Sequence, residues 1–197
     1  MTSKIKYAII GAGCMGQEHI HNVEITEDAE VVALCDTSEK SIKECLDLLK
    51  NKVEIFDNYE DLIQANIVDA YIIATPNFTH IEVLRALIKT KAHLLIEKPL
   101  CTTVEDCKEF ERLAIDYPGV IWTAMEYRYM PPVQRMIQEI HNKTIGNLKM
   151  LSIREHRFPF LHKVDDWNRF AIKTGGTLVE KCCHFFDLMR LIAQSEP

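Results

Sequence analysis

The chain has 197 residues, of which 47% are apolar and 26% charged, with a formal net charge of −6. These proportions exclude collagen, coiled coil and disorder, and at roughly 100–200 residues per domain they allow one large domain or one and a fraction. An acidic chain lacks the basic surface that nucleic acid requires, and no apolar run approaches the ~20 residues of a membrane span, so neither partner is expected.

Candidate strands fall at residues 5–10, 31–36, 53–56, 68–75, 93–97 and 120–125. Most are rich in Val, Ile, Leu and Ala without clean alternation, as in strands buried on both faces of a parallel sheet. Helix patterns lie between them at 14–25, 38–50, 59–64, 80–89 and 103–117. Ser38 is a predicted N-cap, and Thr102 with Glu105 has capping-box spacing. This alternation predicts a Rossmann-type, doubly wound α/β sheet. After Met125 the pattern changes. A helix is expected from Pro131 to about Asn142, a strand over 148–157, a loop over 158–173, and one apolar helix over 177–193. The expected division is a nucleotide-binding domain, 1–125, and the start of an α+β second domain, 126–197.

Gly11-Ala12-Gly13-Cys14-Met15-Gly16 is a G-x-G-x-x-G between a strand and a helix. The first glycine permits the tight turn, the second lets a pyrophosphate approach the backbone, and the third packs helix against sheet. Amides at the helix start can then hold an anion on an acidic protein. Asp36 stands 20 residues past Gly16 at the end of the second strand, where a carboxylate can accept from both ribose hydroxyls. That placement favours NAD over NADP, although nearby Lys40 leaves NADP open. The seven cysteines form no C-x-x-C framework. They fit a reducing compartment, which makes the cytoplasm the expected location. The apolar stretch behind Lys4 and Lys6 is broken by Gly11 and Gly13, unlike a secretory signal.

Further segments join this fingerprint: His19, Ala74-Thr75-Pro76-Asn77-Phe78-Thr79-His80, Glu97-Lys98-Pro99-Leu100, Tyr127-Arg128-Tyr129-Met130-Pro131, and residues 175–187. Together they resemble the Gfo/Idh/MocA family of glucose–fructose oxidoreductase, inositol dehydrogenase and relatives. Members of that family are longer, so the chain resembles their nucleotide domain plus the opening part of a truncated second domain. The resemblance implies a cofactor site of Gly11, Gly13, Cys14, Met15, Gly16, Asp36, Thr75, Pro76, Asn77, His80, Glu97 and Lys98. Read from its residues alone, His80 suits a helix-start or packing role better than catalysis. The resemblance also implies a proton-relaying Lys98 and a cis peptide before Pro99.

Glu180, His184 and Asp187 are spaced i, i+4, i+7 and would share one stripe of an unbroken helix. A polar stripe on a buried helix needs partners or a function. By the family pattern, His184 is the general base and Glu180 orients its ring. Glu180 is one methylene longer than the family's aspartate, and Cys182 stands where a glycine is usual. Metal is not expected, because Cys182 and Cys183 point about 100° apart on a helix and no second ligand pair has zinc spacing. Trp167 and Asn168 are candidate polyol contacts, equally readable as a packed loop, and Arg128 is a candidate for substrate or cofactor.

The expected activity is hydride transfer between a nicotinamide cofactor and a sugar, cyclitol or related polyol, in a homo-oligomer if the second domain is complete. The alternatives are a dinucleotide-binding sensor without chemistry or an inactive truncated product with an exposed apolar face.

Overall fold

The computed structural model describes residues 3–156 and 162–196. Six strands, β1 (Ile5–Ile10), β2 (Ala29–Cys35), β3 (Glu54–Phe56), β4 (Ala70–Ile73), β5 (His93–Ile96) and β6 (Ile121–Thr123), form one parallel sheet in the order β3-β2-β1-β4-β5-β6. Helices α1 (Cys14–Glu24), α2 (Glu39–Leu46), α3 (Tyr59–Ala65), α4 (His80–Leu87) and α5 (Val104–Leu113) connect them in turn. The expected doubly wound fold is therefore present. The chain moves outward from β1 to β3, then returns to β4 on the other side. That reversal leaves a crevice beyond the carboxyl ends of β1 and β4, where open α/β sheets bind ligands.

Side-chain alternation explains why these strands read as continuous apolar runs. Ala8 and Ile10 of β1 join Tyr71, Ile73, Leu84, Leu94, Ile96 and Phe110 on one face of the sheet. Ile9 joins Ile20, Val31, Leu34, Cys45 and Ile72 on the other. With helices over both faces, successive positions in the covered middle of the sheet need apolar residues. Burial pushes the Cys35 thiol up to about 12 and that of Cys45 up to about 11, so both are inert packing groups.

Local capping sets the helix starts. The Ser38 side chain accepts from the Ser41 amide (3.2 Å), as expected. The box opening α5 lies one residue later than the sequence spacing suggested. Thr103, not Thr102, accepts from the Asp106 amide (3.1 Å) and donates to that residue's carboxylate (2.8 Å).

Beyond β6 come a 3-10 turn (Glu126–Tyr129), α6 (Pro131–His141), a second 3-10 turn (Val164–Arg169), α7 (Ala171–Thr174), α8 (Thr177–Glu180) and α9 (Cys183–Ala193). Two expectations are corrected in this part. Residues 148–156 form no strand, and residue 157 lies outside the described residues. A strand requires a hydrogen-bonded neighbour, and in the six-stranded order β6 has none beyond it. The helix expected over 177–193 is broken at Lys181 and Cys182. There the Glu180 carbonyl turns to Lys98 Nζ (3.4 Å) and Cys183 Sγ (3.7 Å). Within the loop expected over 158–173, the described part carries the Val164–Arg169 turn and most of α7. Among the described residues, no helix is long and apolar enough to cross a membrane.

Candidate active site

The three fingerprint glycines answer three different demands. Gly11 has φ +101°, and a Cβ there would lie 2.5 Å from the Ala74 carbonyl carbon, so the loops after β1 and β4 touch. A Cβ on Gly16 would lie 2.1 Å from the Gly11 oxygen, which seats α1 on its own turn. Gly13 is the N-cap of α1, and a Cβ there would meet nothing within 4 Å. Space therefore opens above the turn, beside exposed Cys14 and half-buried Met15, where the first amides of α1 lack intrahelical acceptors. Asp36 reaches the same turn, accepting from the Ala12 amide through Oδ2 (2.7 Å) and from the Ser38 amide through Oδ1 (2.8 Å).

The loop after β4 closes the other side of the crevice. Thr79 Oγ1 is 2.9 Å from the Thr75 hydroxyl and donates to the Pro76 carbonyl (2.7 Å). Asn77 is buried, and its Nδ2 has no hydrogen-bond partner among the described residues. A donor orphaned this way is costly unless a ligand accepts from it. Asn77 and the open cradle over Gly13 together fit a dinucleotide. His80 is wholly buried beneath these loops: Nε2 lies 3.0 Å from the Thr75 carbonyl oxygen and Nδ1 3.0 Å from that of Pro99. Its ring holds backbone together from below, and its contacts are those of the packing role.

At the end of β5, Glu97 turns towards α1, with Oε1 2.8 Å from His19 Nε2, and accepts from the Lys98 amide (3.2 Å). Burial pushes the Glu97 carboxyl up, but the His19 hydrogen bond and the charges of His19 and Lys98 outweigh it and hold the group below its ordinary value. The Lys98–Pro99 peptide is cis, as the resemblance implied. Lys98 Nζ donates to the Glu180 carbonyl, joining the sheet edge to α8.

The break between α8 and α9 changes the surroundings of His184. Glu180 is buried, but its carboxylate pairs with Lys181 Nζ at 3.1 Å, so the expected shared stripe with His184 is not formed. His184 is 1% exposed. Its ring stacks on Tyr127 at 4.1 Å and 5°, and its Nε2 lies 3.5 Å from Glu126 Oε1. Asp187 faces away and is held by the Arg128 guanidinium, Nε donating to Oδ2 at 2.9 Å and Nη2 to Oδ1. The bond to Asp187 raises Arg128 above its ordinary value, so Arg128 is committed to this bidentate pair. Asn168 is buried, and Trp167 meets Phe78 of the β4 loop edge-on at 6.4 Å.

Sequence reasoning missed Glu126 and Tyr127 as partners of His184, and His19 as the partner of Glu97. For Glu126 and Tyr127 a signal was available: both lie within four residues of the end of β6, at the same carboxyl edge as Lys98.

Comparison with known proteins agrees with the fold. Residues 5–124 match the Gfo/Idh/MocA family described as "Oxidoreductase family, NAD-binding Rossmann fold", and residues 137–197 match its "C-terminal alpha/beta domain". The chain is 26% identical to the rhizopine catabolism protein MocA of Rhizobium meliloti over 195 residues, 99% of this chain and 59% of that protein. It is 27% identical to the myo-inositol 2-dehydrogenase of Thermotoga maritima over 98% of this chain and 56% of that protein. The crystal structure of myo-inositol 2-dehydrogenase from Lactobacillus plantarum has the same fold, with a TM-score of 0.81, 22% identity, and coverage of 99% of this chain and 58% of that one. The chain thus spans somewhat more than half the length of these relatives.

Proposed function

Because the chain belongs to the Gfo/Idh/MocA oxidoreductase family, with its NAD-binding Rossmann fold, we propose that it acts in the NAD-linked oxidation of a polyol hydroxyl. Inositol-like cyclitols are the first substrates to consider, since relatives are named for them. Residues 1–125 form the nucleotide-binding domain in this reading, and 126–197 open the substrate domain. The observation that carries it is the placing of two groups at one sheet edge: Lys98, after β5, bonds the Glu180 carbonyl of α8, and the buried imidazole of His184 on α9 meets Glu126, after β6.

When bound, NAD supplies the hydride acceptor. The α1 amides and the open face of Gly13 hold its pyrophosphate, Asp36 its ribose hydroxyls, and Asn77 Nδ2 a polar group in the crevice. His184 takes the proton of the substrate hydroxyl, the task for which an imidazole is suited near neutral pH. Lys98 donates a hydrogen bond to the same oxygen and steadies its developing charge. The test follows NADH absorbance with a panel of polyols. His184→Asn should keep NAD affinity and lose ~10²–10⁴-fold in turnover, the usual share of general base catalysis. Wild-type turnover in that variant would reject the assignment. A second reading, a dinucleotide-binding module without chemistry, is favoured by the pairing of Glu180 with Lys181 instead of His184. Calorimetric NAD binding with no turnover on any polyol would support it.

A further inference from the structure

We propose that Glu126 is the positioning residue and the proton outlet of His184. The inference rests on the polyol-oxidation reading and assigns a residue that neither the fingerprint nor the helix stripe contains. Glu126 opens the 3-10 turn after β6, so its carboxylate comes from the sheet edge while the imidazole comes from α9. The two meet with Oε1 3.5 Å from Nε2, the glutamate side chain 55% exposed and the histidine side chain 2%.

Among the described residues, the neighbouring carboxylates of α8 and α9 are engaged elsewhere. The Glu180 carboxylate is engaged by Lys181, and Asp187 by Arg128. Lys98 bonds the Glu180 carbonyl, and Cys183 Sγ donates to the same oxygen. Lys98, Lys181 and Arg128 are cations and oppose a charged imidazole, so the carboxylate ion-paired with His184 supplies the compensating charge. Tyr127 fixes the geometry: its ring lies flat on the imidazole, and its hydroxyl donates to Glu155 Oε1 at 2.8 Å. The ring plane is thereby set with Nε2 towards Glu126.

This arrangement solves a problem of proton disposal. On oxidation the carbinol carbon gives up a hydride to the nicotinamide, the substrate O–H bond breaks, and an N–H bond forms at His184 Nδ1, the ring nitrogen not turned to Glu126, so that the proton on Nε2 is the one released. Alcohol and NAD⁺ become carbonyl, NADH and one proton. An imidazole buried this deeply does not meet bulk water directly. Glu126 Oε1 receives the proton from the imidazolium and, being half-exposed, passes it to solvent.

The first experiment needs no cofactor. Histidine ring resonances of the protein are followed by NMR from pH 4 to 9, with the His184 signal identified by its loss in His184→Asn. In Glu126→Gln the His184 midpoint should fall by at least about 0.7 unit, the effect that one unit charge at about 4 Å would have even in bulk water. In Glu180→Gln it should stay in place. An unchanged midpoint in Glu126→Gln, with the other histidine signals preserved, would overturn the proposal, as would a shift confined to Glu180→Gln. The second experiment reads the outlet. Turnover of Glu126→Gln should drop roughly tenfold with KM little altered, then recover as the concentration of a small buffer base rises, while the parent is indifferent to buffer. Absence of buffer rescue would overturn the outlet role. A parent that titrates as expected but oxidises no polyol would overturn the functional reading and leave the coupling of Glu126 to His184 standing.

Discussion

Replacing Gly13 with valine separates ligand binding from folding, because a Cβ at this position meets nothing of the protein. Gly13 has φ −75° and ψ −166°, an extended conformation open to valine. Valine stiffens the unfolded chain, a gain of about 0.4–1 kcal/mol, and is a poorer N-cap than glycine, a loss of up to ~1 kcal/mol. The two nearly cancel, so Tm should stay within about 3 °C, at roughly 2–4 °C per kcal/mol for a chain of this size. Its methyl groups, however, fill the space in which a pyrophosphate meets the first amides of α1. One lost hydrogen bond to a charged group is worth about 1.5–3 kcal/mol, so NAD should bind at least ~10-fold more weakly. Gly16→Ala is the contrasting variant. Its Cβ would lie 2.1 Å from a backbone oxygen, and overpacking of that kind costs about 1–3 kcal/mol or more. Thermal melts by circular dichroism and calorimetric NAD titrations read both effects. Gly13→Val binding NAD within twofold of the parent, or Gly16→Ala melting with the parent, would refute the division of labour among the glycines.

Asp36→Ala should weaken NAD and narrow its advantage over NADP, because it removes both the ribose acceptor and the charge that repels a 2′-phosphate. It also frees the Ala12 and Ser38 amides, and the ratio of the two dissociation constants is the measurement that matters. For His80, burial pulls the imidazole below its ordinary value, against the opposing pull of the Thr75, Pro99 and Leu100 carbonyls. The unfolded chain therefore binds the extra proton first. The stabilisation is complete above the unfolded value of about 6.5 and declines as pH falls below it. Urea denaturation between pH 5 and 8 should show this slope in the parent and a flatter one in His80→Gln; equal slopes would remove His80 as its source.

The part of the molecule legible in the sequence is the part whose environment is uniform. β1 was read with both its ends; Ala8, Ile9 and Ile10 are buried on two faces and run straight into the glycine turn that ends the strand. Other strands and helices were placed with ends a residue or more off, because fraying ends depend on caps such as Thr103 against Thr102. The second part failed for reasons no local pattern carries. Residues 148–156 have strand-like composition, but composition provides no neighbouring strand. The Glu180–His184 pairing assumed an unbroken helix, and a lysine 82 residues earlier in the chain captures the carbonyl on which that continuity depends. The partner actually facing His184 comes from the turn after β6, and i, i+4 spacing does not see across elements.

The buried ring of His80 has a consequence for how the crevice opens. One imidazole lies between the carbonyl after β4 and those after β5, and its neutral form has a single N–H to donate, so only the imidazolium bonds both sides. With the ring neutral, the loop it does not bond is free to lift without breaking a hydrogen bond to it, and protonation ties the two loops together. Hydrogen exchange of the two loops should therefore be separable at neutral pH and become more nearly concerted as the pH falls.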